Sequence, residues 1–149
     1  MRRADLALRA GKRKDRGQLV RFAPPMDVEF DDRRFLEREL KRPVDDGALD
    51  VHYQPIVSSD GNRIVGAEAL LRWTHPVRGQ VPPGVFVPVA EQAGLMGKLG
   101  EFVLRRALAD AKHWTGLYVA VNLSPLQVRD PALVDLVTAV LNETGVSPS

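Results

Sequence analysis

Between Ala48 and Trp73 the apolar positions fall into two runs, ALDVHYQPIV and NRIVGAEALLRW, separated by the polar SSDG. Both runs are rich in β-branched and aromatic residues, and Asp60-Gly61 is a strong hairpin signal, so the pattern predicts two antiparallel strands. The second run holds two charges in an otherwise apolar stretch, Glu68 and Arg72. On a helix this i,i+4 pair would be a surface ion pair worth a few tenths of a kcal/mol. On a strand the two side chains share a face with Leu70 but stand roughly 13 Å apart, at about 3.3 Å per residue, so they cannot neutralise each other and each needs its own partner. Ala67, Ala69, Leu71 and Trp73 take the other face. With apolar residues on both faces, the strand is expected to be buried on both sides.

The pattern elsewhere predicts helices joined by loops and one further strand. ADLALRAGKR (4–13) has a short helical pattern, DRGQLVRF (15–22) resembles a terminal strand, and APPMDVEF, with Pro24 and Pro25 adjacent, reads as a linker. Asp31 or Asp32 is placed to cap a helix carrying Phe35, Leu36 and Leu40, which Pro43 and then Gly47 end. THPVRGQVPPG reads as loop, and PVAEQAGL as a short helix ending near Gly94 or Gly97. Leu99, Val103, Ala107, Ala111 and Trp114 mark an amphipathic helix. LYVAVNL reads as a buried strand that places Asn122 near its C-terminal end. Asp130-Pro131 then opens a helix carrying Leu133, Leu136, Val137, Val140 and Leu141, closed by Gly145. Hairpin, helix, strand and helix describe an α/β domain, and there is no internal repeat.

Composition narrows the function classes. The 149 residues contain no cysteine, which excludes disulfides, thiolate-zinc sites and cysteine nucleophiles and fits a reducing cytoplasm. No run approaches the roughly 18 apolar residues of a membrane span, and no signal-peptide core follows the basic N-terminus, so a soluble, cytoplasmic chain is expected. The net charge of +2 conceals an asymmetry: residues 1–22 hold eight Lys/Arg against two Asp, 23–50 hold five against nine acids, and 51–149 hold eight against eight. The basic run lacks interleaved aromatics and reads as a solvated helix end rather than a nucleic-acid arm, so no nucleic-acid polymer is expected as a partner. His52, His75 and His113 are separated singles without metal-ligand spacing, which points to packing or loop hydrogen bonding; Trp73 and Trp114 read as core.

The candidate chemistry lies on three strands: Gln54 in YQPIV, Glu68 and Arg72 in GAEALLRW, and Asn122 in VAVNLSP. Glutamate and asparagine oxygens suit a hard cation, and arginine suits a phosphate. A structural reading stays open beside this one, in which Gln54 pairs with a neighbouring strand's backbone and Asn122 caps the loop at Ser124 and Pro125. In order and spacing, YQPIV, GAEALLRWTHP, VPPGVFVPVAEQAG and VAVNLSPLQVRDP resemble the N-terminal part of the EAL domain, a family of bacterial cyclic-di-GMP phosphodiesterases named for the triplet seen here as Glu68-Ala69-Leu70. The preceding ADLALRAGKRKDRGQLVRF resembles the end of a GGDEF (diguanylate cyclase) domain, with Arg9 and Gly11 in place of that family's Tyr and Ala.

The resemblance implies a TIM-like (β/α) barrel of the EAL type, incomplete here and limited to the first hairpin, helices and third strand, behind an N-terminal helical and linker extension. It implies residues 1–22 as a GGDEF remnant, 23–50 as linker and connector helix, and 51–149 as the first portion of an EAL domain. Glu68 is then a catalytic metal ligand and Asn122 a second ligand, for Mg²⁺ or Mn²⁺. Arg72 holds a phosphate of cyclic-di-GMP, Gln54 lies near a guanine or at the substrate floor, and Leu70 is a further substrate-binding residue. In the family two metals activate the water that opens one phosphodiester, giving linear pGpG. The later blocks of the family, E-x-T-E, D-D-F-G, a lysine strand and a final glutamate, do not occur before Ser149. The expectation is therefore a partial domain, inactive in isolation, with an open barrel edge suited to a homodimer; the alternative is a non-catalytic remnant that binds a nucleotide or a partner.

Overall fold

The computed structural model describes residues 25–147, so the expected terminal helix (4–13), strand (15–22) and GGDEF remnant lie outside the described residues. The chain divides into two compact units, residues 1–39 and 40–149. Helix α1 runs Pro25–Asp45. It starts earlier than expected, inside the stretch that read as linker, because proline is tolerated in a first helical turn, where its missing N–H has no partner to lose. Asp31 and Asp32 consequently lie within the helix and not at its cap. Pro43 does not end the helix either. It sits in the last turn, and the backbone closes beyond it through Asp46 N–H to Arg42 O (2.9 Å) and Ala48 N–H to Pro43 O (2.8 Å), with Gly47 at φ +63° making the reversal.

The unit from Leu40 onward is a four-stranded sheet with helices packed on one face. Strand β1 (Asp50–Val57) pairs antiparallel with β2 (Ile64–His75), in register Asp50 to Arg72, His52 to Leu70 and Gln54 to Glu68. The SSDG turn fixes that register: Asp60 Oδ1 accepts the Asn62 N–H (3.2 Å) and the Ser58 hydroxyl (2.5 Å), while Gly61 adopts φ +71°. The hydrogen bonds from Ser58 and then Asn62 hold the Asp60 carboxyl below the ordinary aspartate value. Pro55, which has no N–H to donate, lies on β1 opposite Ala67.

A short strand, β3 (Gly79–Val81), pairs with the end of β2, where the sequence pattern predicted only loop. Buried His75 organises this tight turn, its Nδ1 accepting the N–H groups of Val77 (3.1 Å) and Arg78 (3.2 Å). Helix α2 (Pro83–Gln92) begins a turn earlier than the expected short helix, with two prolines at its start, and brings Phe86 edge-on to buried Trp73. Helix α3 (Met96–Ala111) follows the predicted amphipathic stripe but stops before Trp114, whose ring instead meets Tyr53 edge-on at 4.9 Å. Strand β4 (Tyr118–Val121) joins β2 in parallel, Glu68 opposite Ala120. It is half-buried, not the fully buried strand expected. Helix α4 (Pro125–Val128) and helix α5 (Leu133–Thr144) complete the order.

The strand alternation decides what is buried. Val51, Tyr53, Ala69, Leu71, Val119 and Val121 pack against Val103 and Ala107 of α3, and Leu104, Leu108 and Val140 form an adjoining cluster with α5. On the reverse face of the sheet Glu68, Leu70 and Arg72 are only half-buried, and Asp50, His52 and Gln54 are exposed. Burial of β2 on both sides is thus not observed: the helices of the described residues pack on one face alone. This mixed α/β layer, with its sheet open, matches the incomplete barrel that the block order implies.

Candidate functional site

The polar residues singled out in the sequence all stand on the open face of the sheet or at its edge. Glu68 is at the centre of β2, flanked by Gln54 of β1 and Ala120 of β4. Asn122 lies just beyond β4, and its Nδ2 donates to Glu68 Oε1 at 2.5 Å. It does not cap the following turn. Ser124 does that in a reciprocal box, its hydroxyl accepting the Gln127 N–H (3.3 Å) while Gln127 Oε1 accepts the Ser124 N–H (3.0 Å). The sequence carries this signal as S-P-L-Q.

Arg72 is two strand positions above Leu70 and four above Glu68, and its guanidinium donates to the Leu71 carbonyl at 3.0 Å. It makes no ion pair with Glu68, as the strand geometry requires. A cavity of about 290 Å³ lies where β2, α3 and α4 meet; Leu70, Arg72 and Asn122 form part of its wall with Leu99, Val103 and Gln127. Glu68 and Gln54 lie outside it, on the sheet face, so the five residues share a region without sharing one enclosed pocket.

Two close approaches support this arrangement, and both use glycine. A side-chain carbon at Gly66 would stand 2.6 Å from Tyr118 O and 2.9 Å from the Tyr118 ring, so glycine allows β4 to lie against β2 just before Glu68. A carbon at Gly100 would overlap Gln127 Nε2, so a bare position on α3 leaves room for the residue that holds the loop after Asn122.

Behind the sheet, Tyr53 donates its hydroxyl to Asp110 Oδ2 (2.7 Å), which also accepts from Arg106 Nε (2.9 Å). Burial, then the bond to this carboxylate, push the Tyr53 phenol above its ordinary value. Burial pushes the Asp110 carboxyl up, but the hydrogen bonds from Tyr53 and Arg106 outweigh it and hold the group below the usual aspartate value. The network fastens β1 to α3 and fixes which face β1 presents. Of the three histidines read from the sequence as packing or loop hydrogen-bonding residues, His75 is buried and bonds its own turn, while His52 and His113 are exposed.

For a metal, the chain offers the Glu68 carboxylate and the Asn122 carboxamide, side chains whose oxygens have the donor chemistry of a hard divalent cation, although here the amide nitrogen faces Glu68. Among the described residues no group of three His, Cys, Asp or Glu converges.

A family model for the EAL domain matches residues 37–149, which include every one of these positions. The chain belongs to the EAL domain family. A signaling protein of Caulobacter vibrioides is 49% identical over 150 residues, covering 100% of this chain and 18% of that protein. The bifunctional diguanylate cyclase/cyclic di-GMP phosphodiesterase MucR of Pseudomonas aeruginosa is 35% identical over 151 residues, covering 98% of this EAL chain and 22% of MucR. Among solved structures, the PaMucR phosphodiesterase in its c-di-GMP complex superposes with a TM-score of 0.73 at 37% identity, over 76% of this chain and 48% of that one. The EAL chain therefore spans about a fifth of the length of these two curated relatives. Among its described residues no helix is long and apolar enough to cross a membrane.

Proposed function

We propose that this EAL chain contributes the first part of a cyclic-di-GMP phosphodiesterase site, and that the whole protein hydrolyses the dinucleotide to linear pGpG. The observation that carries the reading is the meeting of Asn122, just beyond β4, with Glu68, which lies across 54 residues of sequence on the strand that also presents Arg72. The likeness to MucR, named as a cyclic di-GMP phosphodiesterase, supports the same substrate.

In this reading Glu68 and Asn122 hold a divalent cation, Mg²⁺ or Mn²⁺, through their side-chain oxygens. When bound, such ions polarise a phosphodiester and lower the pKa of water. Rotation of the Asn122 amide would turn its oxygen, in place of its N–H, toward the ligand side. Arg72 carries a planar five-donor fork that suits a phosphate, and its single bond to Leu71 O leaves other N–H groups for that purpose. Leu70 gives an apolar floor between the two anchors and Gln54 a polar edge beside Glu68. In the same proposal residues 1–22 supply the end of a GGDEF domain and residues 23–50 a connector that runs into the EAL match, and a homodimer would form through the open sheet edge.

The test is conversion of cyclic-di-GMP to pGpG by the whole protein, followed by anion-exchange chromatography with and without Mg²⁺. Metal-dependent appearance of pGpG, abolished by Glu68→Ala, is expected. Turnover that ignores both the metal and Glu68 would overturn the assignment.

A further inference from the structure

We infer that His52 is a further substrate-binding residue that donates an imidazole N–H to N7 of a guanine, an inference that rests on the proposed cyclic-di-GMP site. The register carries it. Opposite Leu70 on β2 stands His52, between the Gln54–Glu68 row and the Asp50–Arg72 row. Its neighbour Tyr53 faces the helices and is tied there by Asp110, so alternation turns His52 onto the open face.

The ring is exposed, and His52 makes no side-chain hydrogen bond among the described residues. A ligand reaching from the Glu68–Asn122 end to Arg72 must cover roughly 13 Å of strand, passing over the middle row. That row pairs an apolar side chain, Leu70, with a flat ring bearing an N–H donor, their Cβ atoms about 5 Å apart as cross-strand neighbours. A purine needs this combination: an apolar surface for its plane and a donor for its N7 or O6 acceptor edge. A phosphate would be poorly served by Leu70, which assigns the row to a base and leaves the anions to the rows on either side.

The discriminating probe is cyclic-di-GMP beside its analogue with both N7 atoms replaced by C–H, titrated into the wild-type protein, His52→Ala, His52→Phe and Arg72→Ala. Wild type should prefer the natural dinucleotide by about 3- to 10-fold, the worth of one hydrogen bond. His52→Ala and His52→Phe should bind both ligands equally, with unchanged thermal stability because the residue is exposed. Arg72→Ala should weaken both ligands while keeping the preference. Loss on Arg72→Ala together with full N7 discrimination in His52→Ala overturns the inference and leaves the proposed function standing. Absence of any dinucleotide binding by wild type overturns both.

Discussion

Asn122 and Glu68 are 54 positions apart in the chain and meet at 2.5 Å, side chain to side chain, where β4 ends beside the centre of β2. The parallel register that aligns Ala120 with Glu68 brings Asn122 up to the carboxylate, and the Ser124–Gln127 box fixes the chain beyond it. Asn122 is exposed and supports no core, so its role and its structural weight separate. Asn122→Ala should change unfolding free energy by no more than about 0.5 kcal/mol. The same variant should weaken Mg²⁺-dependent dinucleotide binding at least several-fold. Chemical denaturation and a binding titration on one preparation check both halves; equal loss of stability and binding would make the pair structural.

Gly66 opens the motif for a packing reason. Gly66→Ala places a carbon 2.6 Å from a backbone oxygen of β4, which cannot move aside as a side chain would. Overpacking of this kind costs about 1–3 kcal/mol. Urea denaturation should show that loss, with hydrogen exchange accelerated along Tyr118–Val121. A variant as stable as wild type would show that β4 does not lie this close.

Gly100 and Gln127 should be energetically coupled. Gly100→Ala forces Gln127 from its box, while Gln127→Ala removes the obstacle, so the double variant should be destabilised by less than the sum of the singles. A double-mutant cycle is expected to give a coupling of about 0.5–3 kcal/mol. Simple additivity would contradict the close approach.

The Tyr53–Asp110 bond makes a pH-dependent prediction. Because Asp110 is held below its ordinary value, its contribution to stability is present above about pH 4 and fades as pH falls through the folded-state pKa. Tyr53→Phe removes one of the two donors and should cost about 1 kcal/mol at pH 7. The difference between variant and wild type should shrink at pH 3, as followed by urea denaturation at both pH values. A difference independent of pH would remove Asp110 from the account.

Much of the site was legible in the sequence because strand alternation is local. The turn at Asp60-Gly61 sets β2 as a strand, and period two then places Glu68, Leu70 and Arg72 on one face and Ala69, Leu71 and Trp73 on the other. What escaped depended on contacts distant in sequence or on backbone closure. Strand β3 has three residues, too few for a pattern to register, and is held by pairing with Trp73–His75. Pro25 and Pro43 suggested breaks, yet Pro25 lies in the first turn, where a missing N–H is tolerated, and Pro43 lies two residues before the helix end at Asp45, where little of the ladder remains to lose. The apolar residues on both faces of β2 suggested double burial, while the fold covers one face only. His52 read as a solitary histidine because its significance comes from standing opposite Leu70, a relationship that only the register reveals.

The central claim is that Glu68, with Asn122 and Arg72, forms a divalent-cation-dependent site for cyclic-di-GMP. Isothermal titration of the dinucleotide into wild type and Glu68→Gln, each with Mg²⁺ and again with EDTA, tests it most directly. The account predicts binding by wild type with Mg²⁺ and at least a ten-fold loss, about 1.4 kcal/mol, on either chelation or Glu68→Gln. Wild-type affinity unchanged by both would contradict it.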